Sequence, residues 1–190
     1  MVSDRIVGIL ALQGDVNLHA QALAKLGVDT KLIKKPSDFN DIDGLIIPGG
    51  ESTTLLYLAE TFGLMDKIIE FSKKGGRILG TCAGAILLAK KVLNPEQKSL
   101  GLIDITIERN AYGRQIDSFE AIGEGKKPLP IKLKMTFIRA PKITSVGPSV
   151  EILATHKNQP VLIKQNKIFA TTFHPELNGE ASIYQHWLGI

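Results

Sequence analysis

The chain has 190 residues, a formal charge of +4, four histidines and a single cysteine. This length suits one globular domain over residues 1–190, with a core large enough to need no structural metal, and a lone cysteine excludes an internal disulfide framework. The lysines and arginines are scattered rather than gathered into an arm or stripe, which argues against a nucleic-acid partner.

Residues 5–12 form an apolar run that predicts a strand. It is too short to span a membrane and lacks the small-residue cleavage pattern of a signal peptide, so a soluble, cytoplasmic protein is expected. Over residues 16–26, Val16, Ala20, Leu23, Ala24 and Leu26 recur at helical spacing and Gly27 closes the helix. Strands are then predicted at 30–33 and 44–47, one or two helices at 53–72, a strand at 77–79 and a helix at 83–92. Strands apolar on both faces, alternating with helices, predict a parallel sheet covered on both sides. The second half reads differently. Short strands at 103–107, 131–138, 150–155, 161–164 and 168–172, with little helix between them, predict antiparallel hairpins or a meander. A final helix at 180–188 returns to cover the sheet, and 123–130 (GEGKKPLP) is the predicted mobile loop. The expected fold is therefore α/β, a three-layer α/β/α sandwich with a mainly parallel central sheet and antiparallel strands in its second half.

The cysteine lies in RILGTCAGA, where a strand runs into a helix. That layout matches a nucleophile elbow, with Cys82 in place of serine. Such a turn holds its central residue in a strained conformation and demands small residues two before and two after, here Gly80 and Gly84. A helix N-terminus beside the sulfur favours thiolate, the reacting form. A buried apolar filler is the plainer role for a lone cysteine, but it does not account for the glycine spacing. A cysteine nucleophile needs a base and a group to orient it. His19 falls on the first predicted helix, His156 in a polar stretch and His186 on the last helix, whereas His174 leaves a strand end in TTFHPEL, with Glu176 two residues on. By itself HPE reads as an ordinary surface turn, and its weight comes from the elbow. In IIPGGEST, Gly49 and Gly50 let backbone amides approach a ligand, and Ser52 or Thr53 can cap the next helix. In an acyl-transfer site Gly50 N–H and Ala83 N–H are the expected oxyanion donors. No phosphate-loop or dinucleotide fingerprint is present, and no metal site or cofactor is indicated.

Together G-x-C-x-G, PGGES and HPE resemble the class I glutamine amidotransferases, which have a flavodoxin-like fold and a Cys-His-Glu triad. ILALQGD, RNAYGRQIDSFE, FIRAP and TFHPEL further resemble the glutaminase-subunit family of the pyridoxal 5'-phosphate synthases, in order and over nearly the whole chain. The resemblance implies that Cys82 attacks the side-chain amide of L-glutamine, that His174 moves the protons and that Glu176 orients His174. It implies glutamine contacts at Gly50, Glu51, Ser52, Arg109, Ile138 and Arg139. It also implies a separate, barrel-shaped synthase subunit that takes the ammonia within a large hetero-oligomer, pyridoxal phosphate being the assembly's product and not a cofactor of this chain. In this family the glutaminase is weak until the synthase docks, which implies incompletely arranged oxyanion donors in the free subunit. Asn178, Gly179 and Glu180 depart from the family pattern on the segment after the triad. A glutaminase or γ-glutamyl hydrolase serving another pathway is the competing reading, and RNAYGRQIDSFE and FIRAP argue against it.

Overall fold

The computed structural model describes residues 3–109 and 118–190. Its first half follows the alternation in the sequence: β1 (Ser3–Leu10), α1 (Val16–Ala24), β2 (Val28–Ile33), β3 (Gly44–Ile47), α2 (Ser52–Thr61), α3 (Leu64–Lys73), β4 (Arg77–Thr81) and α4 (Ala83–Leu88). The apolar stretch predicted as one or two helices is two, because Gly63 takes a left-handed conformation (φ 66°) between them. The helix predicted over 83–92 ends early. Lys90 and Lys91 are exposed between buried Ala89 and Val92, and residues 89–93 form a strand, β5 (Ala89–Leu93). The later elements are β6 (Ile103–Glu108), β7 (Ser118–Gly125), β8 (Lys132–Ile138), β9 (Lys142–Val146), β10 (Glu151–His156), β11 (Gln159–Gln165), β12 (Ile168–Thr171), α5 (Pro175–Asn178) and α6 (Ala181–Leu188). Part of the predicted 123–130 loop is thus strand, since Gly123 and Gly125 continue β7 against β8 and β10.

Nine strands form one sheet in the order β2-β1-β3-β4-β12-β11-β10-β7-β8. It is parallel from β2 to β12 and antiparallel from there to β8. A smaller sheet, β5-β6-β9, packs against β11 of the large one, with Asp104 N–H donating to Gln165 Oε1 at 2.7 Å. The meander expected for the second half holds for β10, β11 and β12, each antiparallel to the next. On its other edge β12 also pairs in parallel with β4, which joins the two halves of the sheet at its centre. Ile168, Phe169 and Ala170 are buried, so this strand meets the same two-faced requirement as β3 and β4.

Period-two alternation sends side chains of each central strand into two separate cores. Leu45, Ile47 and Ile78 join Leu55, Leu64, Ile68 and Leu87 from α2, α3 and α4. Val7, Ile9, Ile46 and Leu79 join Leu23 of α1 and Ile183, Tyr184, Trp187 and Leu188 of α6 on the opposite face. Helices therefore cover both faces, as expected. No helix among the described residues is long and apolar enough to cross a membrane.

Candidate active site

The parallel pairing of β12 with β4 brings distant sequence together. Thr171 lies opposite Thr81, and Cys82 N–H donates to Thr171 O at 2.8 Å. Cys82 follows β4 and His174 follows β12, so both leave the carboxyl ends of adjacent parallel strands, where open α/β sheets bind ligands. A turn closed through Thr171 Oγ1, which accepts from Phe173 N–H at 3.1 Å, redirects the chain. His174 N–H then donates to Thr136 O of β8 at 2.8 Å, which fixes the start of α5.

Cys82 has φ 49° and ψ −102°, a region that L residues rarely occupy. The glycines around it are sterically required. A Cβ on Gly84 would lie 2.0 Å from Ile47 O, and one on Gly80 would lie 2.7 Å from the Gly84 carbonyl carbon. Gly49 packs against both key side chains, since a Cβ there would meet His174 Cε1 at 2.6 Å and Cys82 Cβ at 3.4 Å. Helix α4 has only six residues, so its dipole is shorter than the predicted helix would have supplied. Cys82 Sγ lies 3.9 Å from Ile138 O.

Cys82 and the His174 imidazole are neighbours across Gly49, and each acts on the other's charge. On its other side, His174 Nδ1 is 2.7 Å from Glu176 Oε1. Burial alone would pull the His174 pKa down, but the hydrogen bonds and charges of Cys82 and Glu176 outweigh it and raise it to about 10. Burial likewise works against an ionised Glu176, yet its bond to His174 and the charge of that imidazole hold its carboxyl below the usual range. The arrangement places an imidazolium between a sulfur and a carboxylate, the order that nucleophile, proton carrier and orienting group require.

In front of this row is a cavity of about 340 Å³, within the usual range for a small-molecule site. Of the residues singled out from sequence, Gly50, Glu51, Ser52, Cys82, Arg109, Ile138, Arg139 and His174 line it. Glu176 and Ala83 are buried behind. Arg139 joins Cys82 in the left-handed region, with φ 40°. Residues 110–117 of the RNAYGRQIDSFE segment lie outside the described residues.

Glu51, rather than Ser52 or Thr53, is the N-cap of α2. Its carboxylate accepts from Thr53 N–H at 3.0 Å and Thr54 N–H at 2.6 Å and pairs with Arg109 at 3.1 Å. Partial burial disfavours the charge, but those amide bonds prevail and hold the carboxyl at about 2. Ser52 Oγ, freed from capping, donates to Gln97 Oε1 at 3.0 Å. Gln13 clasps the same loop: its Nε2 donates to Glu51 O at 2.7 Å and its Oε1 accepts from Glu51 N–H at 3.3 Å.

Sequence reasoning missed Asp15 and Ile86, which also line the cavity. It set aside His19, which is buried behind Glu176. The signal for His19 was its place four residues before Leu23 on the buried face of α1. Asp15, His174 and Glu176 offer ligand atoms within 4.8 Å of one another, two of these side chains being already bonded to each other.

Residues 9–189 match the SNO glutamine amidotransferase family. The chain belongs to that family. It is 47% identical over 186 residues to a Thermotoga neapolitana protein named pyridoxal 5'-phosphate synthase subunit PdxT, covering 96% of this chain and 97% of the relative. The Thermotoga maritima protein of the same name is equally similar, at 47% over 186 residues with the same coverage. Among solved structures, one described as a glutamine amidotransferase superposes with a TM-score of 0.90 at 41% identity, covering 97% of this chain and 99% of the other. Another glutamine amidotransferase structure, from Thermotoga maritima, shares the fold, with a TM-score of 0.64 at 15% identity over 97% of this chain and 84% of the other. Within the SNO family, the cavity at the strand ends and the cysteine elbow are the features of this chain that bear on chemistry.

Proposed function

We propose that this chain is the glutaminase subunit of a pyridoxal 5'-phosphate synthase, hydrolysing L-glutamine to L-glutamate and ammonia. What supports the reading is a small cavity lined by Cys82 and His174, with Glu176 Oε1 2.7 Å from His174 Nδ1 behind it, on a chain of this family. Cys82 attacks the side-chain amide carbon, and the oxyanion that forms accepts hydrogen bonds from Gly50 N–H and Ala83 N–H. The His174 imidazolium gives its proton to the departing nitrogen, which leaves as ammonia, and a thioester remains. A water then loses a proton to His174, attacks the thioester and frees glutamate. Glu176 keeps the imidazole oriented throughout.

Arg109 and Arg139 serve the carboxylate of the amino acid, and Glu51 offers a charge to its ammonium group. Glu51 and Arg109 are paired with each other in the structure, so a bound zwitterion would exchange that pair for two of its own. The ammonia passes to a separate, barrel-shaped synthase subunit in a cytoplasmic hetero-oligomer. The two relatives named as synthase subunits support the partner.

The test is glutamate and ammonia release measured with and without the synthase partner. Release is expected to rise sharply when the synthase is present, and Cys82→Ala is expected to abolish it while the unfolding transition stays in place. Glutamate release by Cys82→Ala at the wild-type rate would remove Cys82 from its role.

A further inference from the structure

Behind the cavity, a second imidazole approaches the same oxygen of the triad carboxylate that His174 contacts. His19, fully buried on α1, has Nδ1 2.9 Å from Tyr184 Oη on α6. Its Nε2 is 3.4 Å from Thr81 Oγ1 on β4 and 3.6 Å from Glu176 Oε1 on α5. The last distance exceeds a full hydrogen bond, so the contact is one of charge and dipole, which a dry interior strengthens. Glu176 Oε2 makes no hydrogen bond among the described residues, so the carboxylate is held through Oε1 alone, between two imidazoles.

The tautomer follows from these partners. With a proton on Nδ1, His19 would turn an Nε2 lone pair towards an ionised carboxylate in a medium that screens little. With the proton on Nε2, the N–H points at Glu176 and Thr81, and Nδ1 accepts from the Tyr184 hydroxyl. Burial pushes His19 below its ordinary range and Tyr184 above its own, so the first stays neutral and the second keeps its proton. His19 and His174 thus face one carboxylate with opposite tendencies, and only His174 carries charge.

We propose that His19 is a positioning residue of the glutaminase reaction: fixed by Tyr184 as the neutral Nε2–H tautomer, it steadies Glu176 from behind and keeps that carboxylate aligned on His174 Nδ1. The inference rests on the glutaminase reading above. It assigns a purpose to a polar chain, Tyr184 to His19 to Glu176 to His174 to Cys82, that crosses from α6 through the sheet end to the cavity.

Gln and Met test it as near-isosteric replacements, because the amide nitrogen of Gln overlies His Nε2 whereas Met carries no donor there. In the presence of the synthase, His19→Met should lower kcat about 10- to 100-fold, the cost typical of losing an orienting partner, with KM for glutamine within about twofold. His19→Gln should recover most of the loss. Tyr184→Phe removes one oxygen and frees the tautomer, so it should lower kcat about threefold to tenfold. Independently of turnover, the low-field proton resonance of His174 Nδ1–H should persist in wild type and His19→Gln and vanish in His19→Met. Wild-type kcat with an intact proton signal in His19→Met would overturn the proposal, as would a His19→Gln variant as impaired as His19→Met at the same unfolding midpoint. Should His19→Met fail to fold, Tyr184→Phe decides, and an unchanged kcat there overturns the relay. If the wild type itself released no glutamate, the glutaminase reading would fall, and the proton signal would still decide whether His19 holds the Glu176–His174 pair.

Discussion

His174 concentrates the electrostatics of the site. Its raised pKa, about 10 against 6.5 for a free imidazole, makes the folded state bind a proton more tightly than the unfolded chain does. The resulting stabilisation is fully present below pH 6.5 and is lost as pH rises through about 10. An NMR titration should find the His174 imidazolium intact at neutral pH, and the unfolding free energy should decline between neutrality and pH 10. Glu176→Gln should narrow that window, because a neutral amide no longer favours the imidazolium charge. Glu51 behaves in the opposite sense: its depressed pKa stabilises above 4.5 and is lost only as pH falls through about 2. At this scale Cys82 was legible because glycine two residues to either side is a steric demand that leaves a mark in sequence. His19 was not, because one buried histidine on an apolar helix face looks the same whether it fills space or faces a carboxylate.

The strand-elbow-helix unit depends on backbone proximity more than on side-chain packing. Gly84 sits where α4 presses on β3, and any Cβ would be driven into Ile47 O, which is backbone and cannot swing aside. Gly84→Ala should therefore cost about 1–3 kcal/mol or more, read as a lower denaturant midpoint at unchanged slope. Glutaminase activity should fall further than stability does, because the same displacement moves Cys82. Here the sequence was informative about existence and poor on extent. The strand, the turn and the helix were all predicted, but the helix ends at Leu88, where Ala89 turns extended (ψ 151°) and residues 89–93 pair with β6 instead. Strand β7 was missed because Gly123 and Gly125 read as loop. A Cβ on Gly123 would strike Met135, and one on Gly125 would strike Pro130 O, so those glycines mark close approach within a sheet.

For the molecule as a whole, the two halves of the chain contribute different kinds of order. The alternating first half announces its parallel sheet, because strands with two buried faces and amphipathic helices are readable locally. The hairpin of β12 with β11 was readable, but the pairing of its other edge with β4 was not, because a short apolar strand looks the same whether that edge stays free or meets a strand made much earlier. Stability should follow this layout. Amides of β4 and β12, including Cys82 N–H on Thr171 O, are expected to exchange with deuterium only through global unfolding, whereas those of the outermost strands, β2 and β8, should exchange through local opening. Equal protection across the sheet would contradict that gradient.

The late arrival of β12 also governs the birth of the enzyme. While a ribosome is still extending the chain, β4 has its elbow and its sulfur, but the imidazole and carboxylate that arm it do not yet exist. The slot beside β4 stands open, with bare amides and carbonyls along its rim. A nascent or prematurely terminated polypeptide lacking this strand would be chemically silent and prone to capture foreign strands, so competence for hydrolysis and protection from aggregation are acquired in the same step.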